Sequence, residues 1–252
     1  ARRPIAGFGD ILIVESQARS SYHGLQVSLD HPLRDGLDAH FAYTWSRSMD
    51  DASAFLASDG NDNTPQDSRN LSAEWGPSDF DVRHRLVASL TWTAAGESLP
   101  AWLAGWRLST LVTVQSGRPF TPRLSTDNSN TGNAAGATFA SDRPNVLVGA
   151  PAAGQTTYTY GDGTFVVPPR YTFGNAGRNM LRGPGYASVD ALLARTLHLG
   201  GTRTLEARAE VFNLFNRVNG QLPDGFVDHA TFGQVLATYP SRQWQVAVRF
   251  GF

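Results

Sequence analysis

The chain has 252 residues, of which 41% are hydrophobic and 11% aromatic, and its formal net charge is -1 at pH 7. This apolar content excludes a chain that is disordered throughout, and a near-neutral charge without a run of basic residues predicts no nucleic-acid partner. Cysteine is absent, which excludes disulfides, thiolate metal sites and cysteine nucleophiles.

Strict alternation of apolar and polar residues predicts about eight β-strands along the chain. In chain order these are ILIVES (11–16), YHGLQVSL (22–29), LDAHFAYTW (37–45), DFDVRHRLVASLTW (79–92), GWRLSTLVTV (105–114), YASVDALLARTLHL (186–199), TLEARAEVF (204–212) and RQWQVAVRFGF (242–252). Several exceed the five or six residues of a typical strand in a soluble sheet. Long strands with one apolar and one charged face are typical of a membrane barrel.

The lengths of the connections alternate between the two ends of the predicted strands. The short links fall at 31–36, 93–105 and 200–203, whereas the other end carries long polar links at 49–78, 117–185 and 215–240 and a short one at about 17–21. Outer-membrane barrels have short periplasmic turns and long extracellular loops. The sequence therefore predicts an all-β, antiparallel up-and-down transmembrane barrel segment over residues 1–252, with its C-terminus in the periplasm. A soluble β-sandwich is the alternative.

Two sets of residues are predicted to report on this orientation. Aromatic residues at the strand ends are expected to mark the two membrane interfaces. The distance from Phe80 to Trp92 along the strand predicts that these interfaces are about 30 Å apart. The predicted girdle residues are Trp45, Phe80, Trp92, Trp106 and Trp244. Charged residues on the opposite strand faces are expected to face the lumen, where they either pair across strands or line a solute path; they are Asp79, Asp81, Arg83, Arg85, Glu206, Arg208 and Glu210.

Several segments resemble the C-terminal barrel of Oar-like TonB-dependent receptors, which are often described as carrying a carboxypeptidase-regulatory-like domain. The resemblance lies in YHGLQVSL, AYTWSRSMDDAS, PQDSRNLSAEWGPSDFDVRHRLVASL, GWRLSTLVTVQSGRPFTPRLSTDNSNTGN, YTFGNAGRNMLRGPGYASVD and RAEVFNLFNRVN. It implies an outer-membrane barrel of about 22 strands with a plugged lumen. The resemblance also implies a TonB complex that acts through the plug. The plug and the N-terminal domains are missing from this sequence. The chain is therefore expected to be a C-terminal part of a larger barrel.

The last strand resembles the signal that the outer-membrane barrel assembly machinery recognises. Phe252 and Phe250 stand at its terminal hydrophobic positions, Val248 extends the same face and Gln245 stands at its polar position, while Ala247 departs from the usual glycine. An unpaired strand edge can be captured by edge pairing. A final strand that only packs within the barrel is the alternative.

Two loop segments alternate oxygen-bearing side chains as calcium loops do. The weak calcium candidates are Asp59, Asn61 and Asn63 in the first segment and Asp127, Ser129 and Thr131 in the second. Neither segment has glutamate at the twelfth position, and such residues are common in ordinary loops. No catalytic motif is present either, so the sequence predicts neither an enzyme nor a cofactor.

Taken together, these patterns predict the barrel portion of a TonB-dependent receptor or transporter for an unknown extracellular ligand. Its expected partners are outer-membrane lipid, the assembly machinery and the TonB complex. A first alternative is a self-contained small outer-membrane barrel that acts as an adhesin or structural protein, because eight strands can close by themselves. A second is a secreted all-β carbohydrate-active or carbohydrate-binding module.

Overall fold

The computed structural model of the chain describes residues 15–32, 36–53, 64–94, 100, 102–132 and 142–252. Its strands are β1 (Ser20–Pro32), β2 (Leu37–Asp50), β3 (Gly76–Pro77), β4 (His84–Thr93), β5 (Trp106–Gln115), β6 (Pro119–Phe120), β7 (Asn145–Val146), β8 (Tyr158–Tyr160), β9 (Gly163–Val166), β10 (Leu181–Arg182), β11 (Tyr186–Gly200), β12 (Arg203–Phe212) and β13 (Gln243–Gly251). A 3-10 helix covers Leu71–Glu74. In these ranges no helix is both long and apolar enough to cross a membrane.

The seven long strands form one antiparallel sheet in the order in which the chain runs, β1-β2-β4-β5-β11-β12-β13. The short strand β3 extends this sheet beside β2. Within the described residues β1 and β13 are the two edges of the sheet. This is the predicted up-and-down order, and the all-β fold class is confirmed.

Most of the predicted strands are present, with shifted ends. The predicted strand at 79–92 is the main correction, because β4 begins only at His84. Residues 79–83 instead turn beneath the loops that precede β4, where the side chains of Asp79 and Asp81 are buried. The first predicted strand, 11–16, lies mostly outside the described residues, and its last two residues, Glu15 and Ser16, are not in a strand.

The strand register brings most apolar residues of the long strands onto one face of the sheet, although Val87, Leu111 and Leu192 lie on the other face. Across the middle of the sheet, for example, Ala88 pairs with Val112, and Val112 pairs with Val189. Residues that pair directly point to the same side, so this row is continuous from strand to strand. Members of the face with large side chains include Leu25, Val27, Leu29, Phe41, Trp45, Leu90, Leu108, Val114, Leu193, Trp244, Val246, Val248 and Phe250.

These apolar side chains are exposed rather than packed in a core. Val246 is 76% exposed, Val248 69% and Leu29 63%. Monomeric soluble proteins rarely expose contiguous apolar patches larger than a few hundred Å². No second β layer covers this face in the described part of the chain, which argues against the sandwich alternative.

The main apolar cluster lies outside the long-stranded sheet, among the long loops. Phe120, Leu124, Phe165, Leu181 and Val227 are buried there. Short strands β7, β8 and β9 form a separate small sheet beside this cluster, and β6 pairs with β10. The chain thus combines an exposed apolar sheet with a separately packed set of loops at one end.

We expect arginine to be tolerated on one face of β5 and not on the other. Val112→Arg, on the apolar face, should lower the free energy of unfolding in lipid by about 2–4 kcal/mol, because it places a cation at the middle of the bilayer. Thr113→Arg, one residue along and on the polar face, is the matched control and should be nearly neutral. Urea titrations of protein folded in lipid vesicles measure both values, and equal penalties would mean that the two faces are assigned wrongly.

Candidate functional site

The three long connections at one end of the sheet pack together into a single unit, which we call the loop cap. It consists of the described residues of 51–83, 116–185 and 213–242. Its aromatic rings contact one another: Phe120 and Phe165 meet Tyr160 and Phe232 edge-on, with ring centroids 5.2 Å and 6.1 Å apart respectively. The loop cap therefore has its own hydrophobic core, separate from the apolar face of the sheet.

Arg178 joins the cap to the end of β2. Its guanidinium forms an ion pair with the Asp50 carboxylate, and it also contacts the Asp79 carboxylate at 3.5 Å. Its Nε donates to the Glu74 carbonyl at 2.8 Å. The side chains of Arg178 and Asp50 are both about 95% buried, so the two charges are neutralised by contact with each other instead of by water.

A second buried ion pair links the first loop to the middle loop. Arg143 pairs with Glu74, and both side chains are about 95% buried. Gln66 accepts a hydrogen bond from the Arg143 backbone N–H at 2.7 Å, while its own amide group donates to the Gly174 carbonyl at 3.1 Å. Segments far apart in sequence are thus held together by polar contacts that are satisfied inside the cap.

Asp81 is the third buried carboxylate in this network. It accepts a hydrogen bond from the Ser48 backbone N–H at 2.7 Å and ion-pairs with Arg182 and Arg83. Burial by itself raises the pKa of Asp81, but these hydrogen bonds and the Arg182 charge outweigh it and hold the pKa below its ordinary value. Asp81 is therefore ionised at neutral pH and ties β2 to the middle loop.

Asparagine side chains attach the last loop to β11. The buried Asn219 accepts a hydrogen bond from the Ala187 N–H at 3.0 Å and donates to the Ala187 carbonyl at 2.9 Å, as a paired strand residue would. Asn213 has a φ of 55°. Its side-chain oxygen accepts a hydrogen bond from the Arg217 N–H at 2.9 Å, and its own N–H donates to the Asp190 carboxylate at 2.8 Å. Asparagine tolerates this left-handed conformation better than most residues, which explains its use here.

The middle loop crosses itself at Gly117. A Cβ atom at this position would lie 1.8 Å from the Gly183 carbonyl oxygen. Only glycine allows two backbones to approach so closely. Arg182, which forms the ion pair with Asp81, lies next to this crossing. Gly117 thus lets the two arms of the middle loop meet above the rim of the sheet.

A cleft of about 280 Å³ opens in the cap between residues 118–123 and 221–239. The aromatic side chains of Phe120, Phe226 and Tyr239 line it together with two arginines, Arg118 and Arg123. Arg118 is held in place because its Nε donates to the Asp79 carbonyl at 3.0 Å. Apolar walls with a few convergent polar groups are the usual features of a small-molecule site.

The predicted lumen-facing charges fall into two groups. Arg85, Glu206, Arg208 and Glu210 lie on long strands, on the face opposite the apolar set. Here Glu206 contacts Arg107 at 3.7 Å and Glu210 contacts Arg208 at 3.5 Å. Asp79, Asp81 and Arg83, in contrast, precede β4 and belong to the cap network, which corrects their predicted place on the strand.

The aromatic residues predicted to form the girdles also fall into two groups, those at the ends of long strands and Phe80, which lies outside a strand. Trp45 and Trp244 lie at the cap end of the apolar face, and Trp92 and Trp106 lie at its other end. Phe80 is exposed but lies outside β4. Trp45 pairs with His84, which marks the cap end of β4. His84 and Trp92 are eight residues apart along this strand, which corresponds to a height of about 20 Å at a strand tilt near 40°. The predicted 30 Å was too large, because residues 80–83 do not continue the strand.

Of the calcium candidates, Asp127, Ser129 and Thr131 lie within the described residues, where their side chains and the local backbone form hydrogen bonds with one another. Asp59, Asn61 and Asn63 lie outside the described residues. The Asp127 carboxylate accepts hydrogen bonds from the backbone N–H groups of Thr131 at 2.9 Å and Gly132 at 2.8 Å, and Ser129 donates to it at 3.3 Å. These contacts describe a loop closed by its own backbone. Among the described residues no group of three His, Asp or Glu side chains is arranged to hold a metal ion.

The residues proposed as the assembly signal lie on or beside the edge strand β13. Val248 and Phe250 are on its apolar face and Gln245 is on the other face, paired with Glu210. Phe252 follows the strand, and its ring lies 6.2 Å from that of Phe250. This placement leaves the hydrophobic pair exposed at a strand edge, and its role in assembly stays a prediction.

Sequence reasoning missed the ion pairs that hold the cap together. Asp50, Glu74, Arg143, Arg178 and Arg182 were not singled out, although four of them lie in the segments that carry the family resemblance. Alternation identifies strand faces, but it does not indicate which loop residues meet across separations of about 70 to 130 positions. For Arg178 and Arg182 the available signal is a charged residue next to glycine in a long loop, and by itself this signal is weak.

Comparison with protein families gives a match over residues 1–245 to the family described as outer membrane beta barrel domain. A search of curated proteins finds no match to the chain.

We expect Arg178→Met to open the loop cap. The substitution leaves Asp50 and Asp79 buried without their cation, and breaking a buried pair in this way costs about 3–5 kcal/mol. Limited proteolysis and hydrogen exchange within 64–83 should show the cap opening while the long strands of the sheet stay protected. Arg170→Met is the control, because Arg170 is exposed in the same loop. Equal protease resistance of the two variants would contradict the assigned role of Arg178.

The cap should also loosen in acid. The pKa of Asp81 is lower in the folded state than in the unfolded chain. The ionised carboxylate therefore stabilises the folded cap fully at pH values above the unfolded pKa near 4. This stabilisation is lost as the pH falls toward the pKa of the folded state. Hydrogen-exchange protection of the Ser48 amide, corrected for intrinsic rates, should fall between pH 5 and pH 3. Asp81→Asn should flatten this dependence, and an unchanged slope in that variant would remove Asp81 from the explanation.

Proposed function

This chain belongs to the outer membrane beta barrel domain family and is located in the outer membrane; from that premise we propose that it is the C-terminal barrel portion of a TonB-dependent receptor or transporter. In this proposal the loop cap binds an extracellular ligand without covalent chemistry. The plug that would couple the barrel to the TonB complex belongs to another part of the protein.

The cleft in the loop cap is the observation that carries the proposal. Loops positioned by a rigid scaffold are common recognition elements, and here Phe120 and Thr121 in the cleft wall are buried while Gln221 and Tyr239 stand exposed at its edge. Hydrogen bonds hold the walls before any ligand arrives: the Arg118 Nε donates to the Asp79 carbonyl at 3.0 Å, and the Arg123 N–H donates to the Gly225 carbonyl at 2.8 Å. A preformed cleft lowers the conformational entropy lost on binding, which suits a receptor better than a purely structural barrel.

The open sheet supports a large barrel over the self-contained small one. The paired strands leave β1 and β13 as edges in the described residues. Unpaired backbone groups cannot face the hydrocarbon region of a membrane, and in our proposal further strands pair with both edges. A barrel completed in this way also leaves room for a plug, as barrels of about 22 strands do.

The receptor assignment is tested by binding to TonB. Protein isolated in mild detergent from native outer membranes should be retained by the immobilised periplasmic domain of TonB. A β-barrel adhesin isolated in the same way is the negative control. Retention no greater than that of the adhesin would contradict the receptor assignment and favour the small-barrel alternative.

The cleft is tested separately by ligand capture. The isolated protein is equilibrated with the small-molecule fraction of spent growth medium, washed and denatured, and the released compounds are identified by mass spectrometry. Gln221→Ala combined with Phe226→Ala should lower the captured amount by about tenfold, as expected for loss of a stacking surface and a hydrogen bond. Leu199→Ala, an exposed residue at the opposite end of the sheet, should have no effect. Equal capture by all three proteins would exclude the cleft as the binding site.

A further inference from the structure

The apolar face of the sheet carries a few charged residues, and all of them are arginines. In the described strands the residues that share this face include Arg47 on β2, Arg195 on β11 and Arg203 on β12, and no aspartate or glutamate. Arg47 lies at the cap end, whereas Arg195 and Arg203 lie at the opposite end. The charges on the lipid-facing surface are thus confined to the levels of the two membrane surfaces.

Arg47 stands one row above the tryptophan at the cap end. Trp45 is two residues away on the same face, which is about 7 Å along the strand. Tryptophan side chains in membrane proteins concentrate at the level of the lipid headgroups. A guanidinium one row further out therefore reaches the charged layer of the headgroups and not the hydrocarbon.

The surroundings of Arg47 offer a hydrogen-bonding imidazole and apolar surface. His23 pairs with it directly on β1, and both residues are exposed. Directly below, Leu25 pairs with Trp45, and each is 54% exposed. A guanidinium and an imidazole above an apolar row match a lipid molecule with an anionic headgroup and acyl chains.

The neighbouring carboxylates are already bound elsewhere. Asp50 pairs with Arg178 on the other face of β2, and Asp51 pairs with Arg19 at 3.3 Å. Within the part of the chain that the structure describes, the Arg47 side chain has neither an ion pair nor a hydrogen bond. The positive charge of Arg47 is therefore available to a group from outside the chain.

From these observations we propose that Arg47 and His23 bind the phosphate group of a lipid in the outer leaflet, with its acyl chains lying over Trp45 and Leu25. The guanidinium fork donates two parallel hydrogen bonds to phosphate oxygens. His23 adds a further donor from the paired strand. The site lies outside the loop cap and its cleft, so it is independent of the proposed receptor function.

The probe is dioctanoyl phosphatidic acid, titrated into detergent-solubilised protein isolated from native membranes and followed by native mass spectrometry. Arg47→Gln should weaken binding about tenfold, as expected for the loss of a charge-assisted hydrogen bond, and Arg47→Lys should restore part of it. Arg85→Gln is the matched control. Arg85 is exposed near the same end of the sheet but on the opposite face, so the control should bind as the wild type does.

Dioctanoylglycerol, which has the same acyl chains and no phosphate, should bind much more weakly than the phosphatidic acid. Three results would overturn the proposal: equal binding of the two lipids, equal binding by the wild type and Arg47→Gln, or equal losses in Arg47→Gln and Arg85→Gln. A dimer that forms through this face and excludes the lipid would assign the surface to a second copy of the chain instead.

Discussion

The structure depends on one constraint, namely that the two faces of a single sheet meet different solvents. Within a bilayer every backbone polar group must be satisfied by the protein itself, which requires long paired strands. Their outward side chains must then be apolar, because a charge at mid-bilayer is costly. The row through Ala88, Val112 and Val189 meets this requirement, and the arginines on this face lie only at its two ends.

The loop cap follows a different rule, because it lies beyond the ends of the long strands. Its order comes from a small buried hydrophobic cluster and from ion pairs such as Arg178 with Asp50 and Arg143 with Glu74. Such pairs stabilise less than their Coulomb attraction suggests, since both charges lose their hydration. They do fix which segments meet, because a carboxylate left without its arginine would be buried and uncompensated. The contacts of the cap are therefore specified by pairs of opposite charges, whereas the sheet is specified by the alternation of apolar and polar residues.

This difference explains what the sequence predicts and what it does not. Alternation has a period of two and is local, so it predicts the order of the long strands, their shared apolar face and the end of the sheet at which the long connections lie. It does not predict the start of β4, because Phe80 and Val82 continue the alternation although the chain turns there to bury Asp81. The contact between Glu74 and Arg143 depends on a separation of 69 residues, for which no local pattern exists.

The most direct test of the account is to measure whether the apolar face of the sheet is in contact with lipid or with water. Because the chain has no cysteine, single cysteines at Leu90 and Ser89 can each be spin-labelled in protein reconstituted into lipid vesicles. These neighbours lie on opposite faces of β4. The account predicts that the label at position 90 is relaxed by oxygen, which is enriched in hydrocarbon, and is shielded from a water-soluble nickel chelate, with the reverse at position 89. Equal access of the nickel chelate to both labels would contradict it.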